Sequence, residues 1–167
     1  MSDLDAVLAH IDADLDNALD RLFQTIRMKS ISTDPAYAAE TRANAEWHSA
    51  DLASIGFKSE VRDTPGHPIV LAKHHEAKGT KVLFYGHYDV QPVDPLELWT
   101  ADPFDPVIVT LDDGSKEIRA RGAADDKGQL MTFVEAARAL IKTNGRLPIK
   151  ATFLIEGEEE SLSLIHI

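Results

Sequence analysis

The feature that most constrains this chain is the order of three segments. An apolar run covers Lys81 to Val90, a helical pattern follows at Leu130, Phe133, Val134, Ala137, Leu140 and Ile141, and a second apolar run covers Ile149 to Glu156. Strand, helix and strand in that order imply a right-handed crossover and a sheet with a largely parallel core. Val82-Leu83-Phe84-Tyr85 is continuously apolar, as a central strand covered on both faces should be. The helix is expected to stop near Asn144-Gly145, with Pro148 introducing the last strand. The fold class read from this order is α/β, a largely parallel mixed sheet flanked by helices.

The remaining segments supply the flanking layers. Leu4, Val7, Leu8, Ile11, Leu15, Ala18, Leu19, Leu22, Phe23 and Ile26 recur at helical spacing, which predicts one long amphipathic helix, and Ser2 with Asp5 resembles a capping box. Asp34-Pro35 opens a second helix that carries an expected inner face of Ala39, Ala43, Trp47, Ala50 and Ile55 to a stop at Gly56. Further strands are expected at Lys58 to Arg62 and Pro68 to Lys73. Asp112-Asp113-Gly114 is a hairpin signal between Val107 to Leu111 and Glu117 to Ala120.

Composition narrows the function classes. At 167 residues and 44% hydrophobic, the chain suffices for one domain that buries roughly 70% of its unfolded surface. Its 28 acidic against 17 basic residues give a net charge of −11, which argues against nucleic acid and anionic membrane as partners. No cysteine is present, so thiolate metal sites and cysteine nucleophiles are excluded. The acidic start Met1-Ser2-Asp3-Leu4-Asp5 does not suit a signal peptide, and no apolar stretch approaches the ~20 residues of a membrane span. A cytoplasmic protein is expected.

Three polar clusters stand at strand ends, where open α/β sheets bind ligands: His87-Tyr88-Asp89, Asp125-Asp126-Lys127-Gly128 and Glu158-Glu159-Glu160. Positions two apart on a strand share a side, so His87 and Asp89 can meet, and a carboxylate there can orient a ligand histidine. A strand-end histidine beside a solvated aspartate has the same spacing. Asp125 and Asp126 precede a helix, so ordinary N-capping accounts for one of them but not for both. Two carboxylates about 4 Å apart repel by roughly 4 kcal/mol at an effective dielectric near 20, so three glutamates beside a buried strand need a counter-charge or full solvation. Glu159 and Glu160 can face one site only if the chain turns there. Oxygen donors with a histidine suit a borderline divalent cation such as zinc. His75-Glu76 does not continue as a zincin motif, since Gly79 stands where the second histidine belongs. His74 and His75 read as exposed strand-end residues, and His10, His48 and His67 as surface or partly buried ones. Serine-hydrolase elbow, P-loop and dinucleotide fingerprints are missing.

Four motifs taken together resemble a known family. Gly86-His87-Tyr88-Asp89-Val90-Gln91-Pro92-Val93, then Leu98-Trp99 with Pro103-Phe104, then Arg121 to Gln129, then Leu154-Ile155-Glu156-Gly157-Glu158-Glu159-Glu160-Ser161 are similar, in order, to the M20 metallopeptidases, in their dipeptidase branch of carnosinase-like and nonspecific dipeptidases. The resemblance extends loosely over residues 1–161. It implies two divalent metal ions, zinc in first place with manganese or cobalt as alternatives, and a small peptide as substrate. His87 would ligate one metal, Asp125 would bridge both, and Glu160 would ligate the other. Glu159 would be the general base and Asp89 the group that orients His87. A cis peptide between Asp125 and Asp126 is also implied.

The resemblance further implies parts that these residues do not contain: another carboxylate ligand, a late histidine ligand, and a smaller lid domain that often mediates homodimerisation. Where the family has Gly-Ser after Ser161, this chain has Leu162-Ser163-Leu164-Ile165-His166-Ile167, which resembles a translated sequencing adapter. Residues 1–161 are therefore expected to be the N-terminal part of a catalytic domain, inactive alone, and 162–167 a non-native tail. Within the family, an amino-acid N-deacylase is the alternative activity. A non-catalytic acidic metal-binding domain is the alternative of another class.

Overall fold

The computed structural model describes residues 3–163; Ser2 of the expected capping box and positions 164–167 lie outside the described residues. The N-terminal helix is two helices, α1 (Asp3–Ala13) and α2 (Leu15–Arg27), interrupted at Asp14. The Asp14 carboxylate accepts from Asn17 and from Arg21, and Arg21 in turn reaches Glu135, so local side-chain bonds compete with helix continuation there. A tight turn at Pro35–Tyr37, capped by the Asp34 side chain, leads into α3 (Ala38–Ser54). The strands β1 (Lys58–Arg62), β2 (Ile69–His74) and β3 (Lys81–His87) follow, then the hairpin β4 (Val107–Thr110) and β5 (Lys116–Arg119). After α4 (Lys127–Asn144), which ends at Gly145 as expected, β6 (Lys150–Glu156) completes the order.

The main sheet has the order β1-β2-β6-β3, and β4-β5 form a separate ribbon. An α/β sheet flanked by helices is what the sequence predicts, and the crossover through α4 yields the parallel β3–β6 pair. The parallel share is smaller than expected, since β1–β2 and β2–β6 are antiparallel. The connection between β1 and β2 is far shorter than the dozen or more residues that a parallel crossover needs. Among the described residues β3 is an edge strand rather than a central one, with Leu83 and Tyr85 exposed on its outer face.

The core sits on one face of the sheet. Val70 and Ala72 of β2 and Ala151, Phe153 and Ile155 of β6 meet Leu22 and Ile26 of α2, Leu52 of α3, and Leu130 and Val134 of α4. The α3 face differs from the expected one: Ala39, Ala43 and Ala50 are exposed, while Thr41, Asn44, Ala45, His48 and Leu52 are buried. Polar residues turn inward here because they satisfy one another. Thr25 donates to Asn44 (2.7 Å) and lies 3.1 Å from His48 Nε2, and Asn44 donates to Ser30 Oγ (3.0 Å). His74, expected to be exposed, is buried against the Phe57 ring.

Two expected outcomes follow from these buried groups. Burial, aided by the charge of Lys127, pushes His48 down to about 3, so it stays neutral in the folded protein. Its contribution to stability is therefore complete above the unfolded histidine value of ~6.5 and is lost as pH falls toward the folded value, by up to about 1.4 kcal/mol per pH unit. Thermal unfolding between pH 6.5 and 4 should show this slope, flattened in His48→Gln. Arg138 on α4 binds both Asp51 oxygens on α3 (2.6 and 2.7 Å) with little exposure on either side. Arg138→Met, which strands the Asp51 charge, should cost about 3 kcal/mol in a denaturant titration.

Candidate metal centre

The three clusters arrive at one place because two strands and one helix end there together. His87 closes β3, opposite Glu156 of the parallel β6, so the turns after both strands emerge side by side. Asp125 and Asp126 immediately precede α4, and the peptide between them is cis, as the resemblance implies. After β6 the chain turns through Glu159–Ser161, which supplies the bend that lets Glu159 and Glu160 address one site. Close approach makes glycine necessary on both sides of this arrangement. A Cβ on Gly128 would lie 1.9 Å from the Ala123 carbonyl oxygen, and one on Gly157 would lie 2.2 Å from the Tyr88 hydroxyl.

One ligand atom each from His87, Asp125 and Glu160 lies within 4.8 Å of the other two. His87 Nε2 stands 3.1 Å from Asp125 Oδ1 and 3.8 Å from Glu159 Oε2. On its other side, Nδ1 is 3.3 Å from Asp89 Oδ1 and 3.2 Å from the Asp89 carbonyl. The imidazole is nearly buried, whereas the Asp125 side chain is 72% exposed and the Glu159 side chain 44% exposed. The site is thus a buried histidine facing an open rim of carboxylates.

Asp89 has a larger role than orienting the histidine. Its carboxylate is fully buried and also accepts the backbone N–H groups of Glu159 (3.2 Å) and Glu160 (3.1 Å). One side chain therefore fixes both the imidazole and the turn that presents the two glutamates. Asp126 stands at the N-cap position of α4 but makes no side-chain cap bond; its carboxylate accepts the His87 N–H (3.1 Å). Gln91 donates to Glu160 Oε2 (2.8 Å) and to the Glu160 carbonyl (3.1 Å). No local pattern in the sequence marks the contact of Asp126. Gln91 does carry a signal, since it lies two positions beyond Asp89 on the same side of an extended chain.

The donor set fits a divalent cation. Burial disfavours the charged form of His87, but the hydrogen bond and charge of Asp89, with Asp126 and Glu159, outweigh it and push the imidazole up to about 9. Both ring nitrogens face carboxylate oxygens, which in ionised form only accept, so positive charge is favoured on this ring or at its Nε2. A cation bound at Nε2 would supply that charge, with Asp125 and Glu160 as oxygen donors and Nδ1–H held by Asp89.

Known proteins are similar to this chain along the same stretch. The family described as peptidase family M20/M25/M40 matches residues 83–165, a stretch that contains all three clusters. The Cys-Gly metallodipeptidase dug1 of Schizosaccharomyces pombe is 30% identical over 94% of this chain and 34% of its own length. The human Beta-Ala-His dipeptidase is 32% identical over 96% of this chain and likewise 34% of its own. The crystal structure of human carnosine dipeptidase 1 superposes with a TM-score of 0.87 at 27% identity, over 98% of this chain and 36% of that one. The chain spans about a third of the length of the relatives it matches. All four motifs of the sequence therefore fall within or beside a stretch, residues 83–165, that is similar to peptidase family M20/M25/M40.

Proposed function

We propose that the protein to which these residues belong hydrolyses the amide bond of dipeptides or short peptides with the help of two divalent ions. The observation that carries this reading is the meeting of His87, Asp125 and Glu160 at one point with Glu159 beside them. The dipeptidase names of the relatives support the substrate class. In this reading His87, Asp125 and Glu160 would hold the ions, with Asp125 shared between them, and residues 1–161 form the N-terminal part of the catalytic domain. Zinc is the first expectation, with manganese and cobalt as alternatives.

The bound ions would polarise the scissile carbonyl and make water acidic enough to attack near neutral pH. Glu159 takes the proton from the attacking water as its oxygen bonds to the carbonyl carbon. The same carboxyl then gives that proton to the amine nitrogen as the C–N bond breaks. Partial exposure suits this work, because the carboxylate must reach both the water and the leaving group. Asp89 stays out of proton transfer and holds His87 and the Glu159–Glu160 turn in place.

Zinc titration by calorimetry separates the ligands from the base. His87→Ala and Asp125→Ala should each weaken zinc binding at least tenfold, and unchanged affinity in both would remove the site. In the protein of full family length, Glu159→Ala should lower kcat for a dipeptide by about 10²–10⁴-fold while metal content stays at the wild-type level. Retained turnover in that variant would sink the base assignment.

A further inference from the structure

Two of the ligand-bearing turns are tied from behind to one short segment that carries no ligand of its own. Ser30 grips the turn after β3 on both sides of Asp89: its hydroxyl donates to the Tyr88 carbonyl (2.6 Å), and its carbonyl accepts the Val90 N–H (2.9 Å). Lys127, one residue beyond the Asp125-Asp126 pair, donates from Nζ to the carbonyls of Thr25 and Met28, both at 2.8 Å. Those carbonyls belong to the C-terminal end of α2, where a helix leaves acceptors unpaired and favours a cation. Asn44 of α3 holds the segment itself, through Thr25 and Ser30. Thr25, Ser30, Asn44 and Lys127 are all fully buried.

The ties close into a ring. The His87 N–H donates to Asp126, which joins the first turn to the second, and the segment 25–31 joins both at their backs. Asp125 needs such support because its own side chain is mostly in solvent, with His87 on one side of it.

We propose that residues 25–31 are a brace that keeps the His87 and Asp125 turns in register for metal binding, with Ser30 and Lys127 as its positioning residues. The proposal rests on the metal reading above, and the path is physical: hydrogen bonds link Ser30 and the carbonyls at the end of α2 to the two turns, without touching their ligand side chains.

The test compares Lys127→Met and Ser30→Ala with the wild type in two measurements. In zinc titration each variant should bind about 10–100-fold more weakly, the range typical when a support of a ligand is removed. In residue-resolved hydrogen exchange without metal, the His87 amide in Lys127→Met and the Val90 amide in Ser30→Ala should exchange at least tenfold faster. Arg138→Met is the control for general destabilisation, since its ion pair joins α3 and α4 away from the brace. It should lower thermal stability and leave zinc affinity unchanged. Wild-type affinity and wild-type exchange in the brace variants would overturn the proposal, as would an equal loss of affinity in Arg138→Met. If the wild type itself fails to bind zinc, the metal reading falls, and the exchange rates still decide whether the brace exists. If Lys127→Met does not fold, Ser30→Ala decides by the same two readouts.

Discussion

The buried carboxylate of Asp89 is the interaction on which the rest of the site depends. It receives His87 Nδ1 on one side and the amides of Glu159 and Glu160 on the other, so it joins the end of β3 to the turn after β6. A buried carboxylate is stable only when its lone pairs are filled and a positive charge stands near. Both conditions are met here by the site's own parts: two backbone N–H groups and an imidazole held toward its charged form. The group that stabilises the local fold is therefore also the group that positions His87 and the Glu159–Glu160 turn.

Behind Asp89 lies a second layer of polar groups that looks unsuited to a core until its bonds are traced. Thr25, Ser30, Asn44, His48 and Lys127 are buried between α2, α3 and α4, and each has a partner within the group or on a nearby carbonyl. Satisfied networks of this kind are rigid, because releasing one member leaves another buried without water. The apolar core on the sheet face provides the bulk of the burial, and the polar layer gives the turns above it a defined position.

Much of this was legible in the sequence. The strands ending at His87 and Glu156, the helix from Lys127 and its stop at Gly145 were all marked by apolar runs, glycine and proline. The three clusters stood out because carboxylates and histidine crowded at strand ends need a physical reason, and the resemblance singled out five candidate residues within them. At three places apolarity alone is a poor guide to burial and helix continuity. On α3 the alanines pointed to one face, and the chain buried the face with Asn44 and His48 because hydrogen bonds made that possible. In β3 the unbroken apolar run suggests a central strand, yet among the described residues Leu83 and Tyr85 are exposed at an edge. At Asp14 the apolar period continues, and side-chain bonds to Asn17 and Arg21 nevertheless interrupt the helix.

By itself the sequence determined the element types, the parallel β3–β6 crossover and the donor atoms on offer, because these follow from local periodicity and from chemistry carried by single residues. Only the tertiary structure decided the antiparallel pairings, the face that α3 buries, and the pairing of Asp89 with amides 70 and 71 residues away. Those outcomes depend on hydrogen bonds between segments distant in sequence, and no local pattern encodes which distant partner a buried polar group will find.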